Sequence, residues 1–584
     1  MTPAQKRSFR NRITSFLGIL LVLALVMGWR LADFQIVRAS EIQDVSFARR
    51  AVTQEIPALR GPILDATGSV LARTVRRYDV NVSPRLVGPI VRETDAGSEE
   101  LSVAELASEL AGVLDLDESF VRDQLSGTGD YASLKRGVDV ATYNAVRELR
   151  IPWVYYDGFF DRLYPNGAVA GNLLGFTDAA GVPIEGLETQ FDECLAGKDG
   201  QETFERSVEG VRIPTSAVVT QPTVDGGTLQ LTIDADLQFF AQQVLADTVA
   251  ELEADWAMAM VLEVATGRIL VAAEAPSVDP NNPTGVSEYS RGSRIFRAAI
   301  EPGSVMKSIS AAVILETGAA DPFDRKNVAD RLTTSFGEVI KDSYDHDTKP
   351  MTLTGVLKNS SNVGISEFGI GIPKQTRYEY LRSFGFGQPT SVDFLGESSG
   401  LLAPAKNWDG MTNYATLYGQ GVAVTMAQMA SAYQALANDG VRLPLRLVES
   451  CTLASGEVLT PDSFDPVQVV SEQSADTTMD MMEKVVEVGG VGRMAQVEGY
   501  RVAGKTGTAQ IKDGAGYGNR FAISFYGVAP AEDPKFVVGV TIYRPVGVVN
   551  SAPATGPFKL IMEQALRHYR VPPSTTPSRD LPLE

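Results

Sequence analysis

Three short polar motifs fall in order along this chain: Ser304-Val305-Met306-Lys307, Ser360-Ser361-Asn362 and Lys505-Thr506-Gly507-Thr508. The second and third begin 56 and 201 positions after Ser304. To act together they must share one domain large enough to return the last motif to the first. A lone Ser-x-x-Lys is weak, because chance supplies about one in a chain of this composition. The ordered set is hard to obtain by chance.

The spacing within the first motif has a physical meaning. Pro302-Gly303, then Ser304 to Glu316, then Gly318 carry the start and stop signals of a helix. Three residues make nearly one turn, so Ser304 and Lys307 share a face and their side chains can meet. Free N–H groups in the first turn favour a developing negative charge there. Lys307 can accept the serine proton only when neutral, and lowering a lysine from about 10.4 to near 7 costs about 4 to 5 kcal/mol. Burial against Val305, Met306 and Ile309 helps, and a second ammonium from Lys505 is expected to help more.

The other two motifs complete a serine acyl-transfer set. Ser360 supplies a hydroxyl that can relay a proton, and Asn362 an amide that can hold a peptide. Tyr500 to Gly504 reads as a strand leading into the third motif. There Gly507 would let a substrate backbone come close, while Lys505 and Thr506 can hold a carboxylate. The Thr508 N–H would complete an oxyanion hole with that of Ser304, one such donor being worth about 3 to 4 kcal/mol of barrier. Ser304, Lys307, Ser360, Asn362 and Lys505 are therefore the candidate catalytic residues, with Thr506, Gly507 and Thr508 binding substrate. Taken singly, each motif reads as well as a helix start, a polar turn or a strand.

Composition narrows the classes. A length of 584 residues predicts two to four domains, and a net charge of −20 argues against a nucleic-acid partner. The two cysteines, Cys194 and Cys451, rule out a thiolate metal cluster, and two unpaired small apolar side chains are favoured over a single bridge. The only histidines are His346, expected in a solvated loop, and His568, expected on the surface of a terminal helix. Neither sits in ligand spacing, so no metal and no cofactor is predicted, and a histidine base is disfavoured.

Ile13 to Trp29 is uncharged, and Lys6, Arg7, Arg10 and Arg12 precede it with no acidic residue before Asp33. As a helix it spans about 26 Å. The charge asymmetry predicts a cytoplasmic amino terminus and an extracytoplasmic body. Without a small-x-small cleavage site, an uncleaved anchor is favoured over a signal peptide.

The expected organisation is a tail over 1–12, an anchor over 13–31, a non-catalytic domain over 32–225, a catalytic domain over 226–570 and a disordered Pro/Ser-rich tail over 571–584. Asp65-Ala66-Thr67-Gly68 reads as a hairpin turn and Val103 to Leu125 as two amphipathic helices. Asp234 to Leu252 reads as a helix, Ala257 to Ala272 as two strands, and Phe521 to Val528 with Phe536 to Tyr543 as an antiparallel pair. Helix and strand alternate toward a closing helix, which predicts an α+β or three-layer domain.

On these motifs the chain resembles the class B penicillin-binding proteins, whose set is Ser-x-x-Lys, Ser-x-Asn and Lys-Thr-Gly. Arg60-Gly61-Pro62-Ile63-Leu64-Asp65, Gly186-Leu187-Glu188 with Phe191-Asp192, and Tyr418-Gly419-Gln420-Gly421 extend the likeness nearly end to end. Ala298-Ala299-Ile300 replaces the tyrosine-containing stretch usual before Glu301. The resemblance implies an α+β transpeptidase domain of the serine β-lactamase type, with an antiparallel sheet and helices, behind an elongated α+β pedestal. It implies peptidoglycan D,D-transpeptidation through a serine acyl-enzyme, with stem peptides as substrates and β-lactams as inhibitors. A membrane glycosyltransferase and division proteins would be the partners, and the cell-division branch is favoured over the elongation branch. A water-using carboxypeptidase, a low-affinity transpeptidase and a non-catalytic division scaffold are the rivals.

Overall fold

Five antiparallel strands organise the catalytic half of this computed structural model, which describes residues 2–94, 97–207, 212–461, 464–513 and 516–584. They are β1 (Trp256–Glu263), β2 (Ile269–Ala275), β3 (Ala503–Asp513), β4 (Gly516–Ala529) and β5 (Phe536–Tyr543), in spatial order β2-β1-β5-β4-β3. The period-2 alternation of β1 sorts its side chains between two cores. Ala257, Ala259 and Val261 join one, together with Leu237, Ala241, Phe558 and Ile561 from two helices. Met258, Met260 and Leu262 join the other, with Val305, Met306 and Ile309. Both faces of the sheet are thus covered, giving a three-layer α+β domain.

Seven helices matter for the site and its support: α1 (Ala235–Glu251), α2 (Met306–Glu316), α3 (Leu353–Asn359), α4 (Asn362–Gly369), α5 (Met426–Ala437), α6 (Glu472–Val486) and α7 (Thr555–His568). Asp234 caps α1, its Oδ1 accepting the Leu237 N–H at 3.0 Å. The predicted helix over 234–252 and the predicted β pair near the carboxyl end both form.

The chain divides into two compact units, residues 1–59 with 197–225, and residues 60–196 with 226–584. In the first, helix Pro3–Ala32 is followed by helix Ala39–Arg50 and a three-stranded sheet of Ala51–Ile56, Gly200–Glu205 and Val218–Gln221. The Pro3–Val37 segment is long and apolar enough to cross a membrane.

In the second unit a seven-stranded sheet joins Val70–Val82, Ile63–Leu64 and Thr228–Leu231 to Val448–Thr452. The Ile63–Leu64 and Val70–Val82 strands form the predicted hairpin around Asp65 to Gly68. Helices Val103–Leu114 and Glu118–Leu125 bury Leu106, Leu110 and Val121, as their spacing predicts. Glu188 is fully buried and ion-paired to Arg60 and Arg162, at 2.6 and 2.7 Å, which ties the two motif stretches of this region together.

Three expectations are corrected here. Cys194 and Cys451 form a disulfide, with Cα atoms 6.3 Å apart. Cys451 lies opposite Leu229 in the sheet, while the Cys194 carbonyl accepts the Gly227 N–H at 2.7 Å. Tertiary pairing across 257 positions brings them together, and no local pattern records it. Residues 571–584 form no helix or strand, but they are ordered against the domain rather than disordered. The Ser574 hydroxyl accepts the Arg501 N–H at 2.8 Å, Leu581 is buried, and the Leu583 carbonyl accepts the Thr352 N–H at 3.1 Å. Proline blocks periodic structure there, so the polar groups find partners on the folded body instead. Neither histidine is simply solvated: His568 meets Asp234 Oδ2 at 2.8 Å, and half-buried His346 meets Asp342 Oδ2 at 3.1 Å.

Candidate active site

Ser304 sits in a 3₁₀ turn, Gly303–Val305, immediately before α2, rather than in the α-helix itself. Gly303 is in the left-handed region (φ +59°), and its N–H donates to the Gly419 carbonyl at 2.9 Å. A Cβ on Gly303 would stand 2.7 Å from the Thr508 carbonyl, so the turn and β3 touch backbone to backbone. The Tyr433 hydroxyl of α5 donates to the Val305 carbonyl at 2.9 Å and fixes the turn from below. The Glu301 carboxylate accepts the Gly421 N–H at 3.0 Å.

One turn along, Lys307 Nζ lies 3.0 Å from Ser304 Oγ and 3.3 Å from Ser360 Oγ. Its side chain is fully buried, and burial pulls it down to about 7, against an upward pull from the Asp342 carboxylate. Relative to 10.5, that shift corresponds to about 5 kcal/mol.

The second motif is a helix-to-helix junction. Ser360 ends α3 in the left-handed conformation (φ 57°), and Ser361 caps α4, its hydroxyl accepting the Gly364 N–H at 2.8 Å. The polar-turn reading and the catalytic reading of these residues therefore describe the same backbone. The Asn362 side-chain amide donates to the Lys341 carbonyl at 3.0 Å, which orients it. Asp342 completes the junction, its Oδ1 accepting the N–H groups of Asn362 and Val363 at 2.6 and 3.0 Å. Nothing in the sequence around Asp342 marks this role. It lies 20 positions before Asn362, and only the fold brings it to the start of α4.

The third motif occupies β3, the edge strand of the sheet. Lys505 is fully buried, and its Nζ lies 2.9 Å from Ser360 Oγ and 3.2 Å from Thr506 Oγ1. Burial and then the neighbouring Lys307 push Lys505 well below the ordinary lysine range. The sequence predicts Lys505 as the group that lowers Lys307. Burial is the leading cause at both amines, with the repulsion between the two next at Lys505 and the Asp342 carboxylate opposing the shift at Lys307.

Gly507 also has a reason within the fold. A Cβ there would meet Ser524 Oγ at 2.5 Å, Val305 Cγ1 at 2.8 Å and the Pro302 carbonyl at 3.0 Å. The glycine lets β3 press against the Ser304 turn. Thr506 and Thr508 pair with Phe525 and Ile523 of β4, which sets the strand's register beside Ser304.

All three motifs are thus gathered around the Ser360 hydroxyl, and the set has the parts of a serine acyltransferase whose base is lysine. Comparison with known proteins agrees. A penicillin-binding protein transpeptidase domain matches residues 257–563, and a penicillin-binding protein dimerisation domain matches residues 55–231. The penicillin-binding protein PbpB of Mycolicibacterium smegmatis is 35% identical over 99% of this chain and 93% of its own length. The peptidoglycan D,D-transpeptidase FtsI of Escherichia coli K12 is 30% identical over 96% of this chain and 92% of its own length. Among solved structures, a peptidoglycan synthetase of Bifidobacterium adolescentis superposes with a TM-score of 0.71 at 31% identity, covering 91% of this chain and all of that one. Penicillin-binding protein 3 of Mycobacterium tuberculosis complexed with aztreonam gives 0.68 at 29% identity, covering 90% and 99%. The chain belongs to the class B penicillin-binding proteins, the group that includes FtsI and PbpB.

Proposed function

We propose that this chain is a septal peptidoglycan D,D-transpeptidase that works through an acyl-enzyme on Ser304. The observation that carries the reading is the buried Lys307 amine 3.0 Å from Ser304 Oγ. Neutral Lys307 takes the Ser304 proton as Oγ attacks the carbonyl of the penultimate D-alanine. The N–H groups of Ser304 and Thr508 hold the oxyanion, and the departing D-alanine amine receives its proton through Ser360. That hydroxyl is suited to the relay because it stands within 3.3 Å of both lysines. Lys505 and Thr506 hold the terminal carboxylate of the donor, and Asn362 holds its peptide. An amine of a second stem peptide then attacks the ester, forming the cross-link and returning the proton to Ser304. β-Lactams acylate the same oxygen.

The chain sits in the bacterial cell membrane through helix Pro3–Ala32, with Lys6, Arg7, Arg10 and Arg12 on the cytoplasmic side. The Cys194–Cys451 disulfide supports an extracytoplasmic body, since such bridges persist in oxidising compartments. The septal assignment rests on the likeness to FtsI across nearly the whole chain. A membrane glycosyltransferase and other division proteins are the partners this reading requires. The test supplies the purified full chain with a pentapeptide donor and an amine acceptor. Release of D-alanine with formation of the joined product, both abolished in Ser304→Ala, is the expected result. D-Alanine release with water as the sole acceptor would make it a carboxypeptidase, and no release from folded protein would make it a scaffold.

A further inference from the structure

Behind the Ser360-Ser361-Asn362 junction lies a carboxylate–imidazole pair, buried on the carboxylate side, that the reaction as described does not use. Asp342 follows the strand Val339–Lys341, and its side chain is 1% exposed. Its Oδ1 accepts two backbone N–H groups at the start of α4, and its Oδ2 lies 3.1 Å from His346 Nε2. The other ring nitrogen, His346 Nδ1, lies 2.9 Å from the Asp347 carbonyl. A carbonyl oxygen can only accept, and the same is true of the oxygen of an aspartate carboxylate. Both ring nitrogens therefore face acceptors, and only the imidazolium satisfies both contacts.

We propose that His346 is a positioning residue for acylation: as the imidazolium it clamps Asp342, which holds the Ser360–Asn362 junction in place against Ser304, Lys307 and Lys505. A neutral ring would turn a lone pair toward one oxygen, loosening Asp342 and with it the start of α4. Ser360 and Asn362 are the residues that would shift. The groups facing the pair are few. Tyr344 lies with its ring centroid 5.2 Å from that of His346, Lys349 opposes protonation, and Asp342 faces Glu367 of α4 and Lys307 of α2. Hydrogen bonds to Asp347 and Asp342 outweigh burial and hold His346 above its ordinary range. A clamp with a raised folded value is intact below it and is lost as pH rises through it.

This inference rests on Ser304 being acylated, so the experiment separates the two. The rate of acylation by a fluorescent penicillin is measured against pH for the full-length chain and for His346→Gln, which is uncharged. The expected wild-type profile falls on its alkaline side, and the variant lacks that fall and is about tenfold slower at lower pH. Profiles of the same shape, whether or not the variant is uniformly slower, would overturn the clamp while leaving the acylation reading intact. Absence of acylation in the wild-type protein would overturn both. Should His346→Gln fail to fold, selectively ¹⁵N-labelled histidine gives the same answer in the wild-type chain, which has only two imidazoles. His568→Gln assigns the signals. A doubly protonated His346 whose titration moves when Ser304 is acylated supports the clamp, and one that titrates in the ordinary range and ignores acylation refutes it.

Discussion

Lys505 Nζ stands 2.9 Å from Ser360 Oγ, and that one contact joins the last motif of the chain to the middle one. Lys307 reaches the same hydroxyl at 3.3 Å while touching Ser304 Oγ at 3.0 Å. Two buried amines around one hydroxyl cannot both hold a full proton complement cheaply. Lys307, the one nearest the nucleophile, is placed to accept the Ser304 proton when neutral.

Acylation should therefore follow the protonation of Lys307. A lysine serves as a base only above its pKa, which burial has brought to about 7. The acylation rate constant is expected to climb about tenfold per pH unit below that value, ahead of the alkaline fall expected from His346. Lys307→Ala should lose about 1,000-fold and the ascending limb with it. Stopped-flow measurement with a chromogenic β-lactam checks both.

Ser360 holds a left-handed backbone (φ 57°) that glycine adopts without strain. Ser360→Gly is expected to stabilise the fold by up to about 1 kcal/mol while slowing acylation by about 100-fold. Thermal unfolding and labelling kinetics on one preparation would read both. A loss of stability would show that the hydroxyl's two lysine contacts outweigh the backbone strain.

Gly507 admits no side chain between β3 and the Ser304 turn. Gly507→Ala should cost about 2 kcal/mol through overpacking. It should also lower acylation, because the Cβ would press on Pro302 and Val305, either side of Gly303 and Ser304. Chemical denaturation gives the first quantity and penicillin labelling the second.

The ordered tail braces two motif-bearing elements. It meets Arg501, which leads into β3, and Thr352, which caps α3 below Ser360. Ending the chain after Arg570 should cost about 3 kcal/mol, the sum of a buried leucine and several hydrogen bonds. A truncated protein with an unchanged melting temperature would show that the tail rests on the domain without supporting it.

The chemistry of the site is legible in sequence because its motifs are local: Ser304 and Lys307 are one turn apart, and Lys505 and Thr508 share a strand. The sheet is legible for the same reason, since the alternation in Phe536 to Tyr543 is a property of neighbours. What escapes depends on contacts between distant residues. Asp342, the Cys194–Cys451 bridge and the seating of residues 571–584 are created by the fold and leave no periodic trace. Gly507 stands out in sequence for its freedom, but its reason lies in Val305 and Ser524, which only packing brings together.

The most direct test of the catalytic centre is intact-mass analysis of the full chain after exposure to a penicillin, beside Ser304→Ala. The expected result is one stable adduct, mapped to the peptide containing Ser304 and absent from the variant. An adduct that persists in Ser304→Ala, or none on the folded wild-type chain, would contradict it.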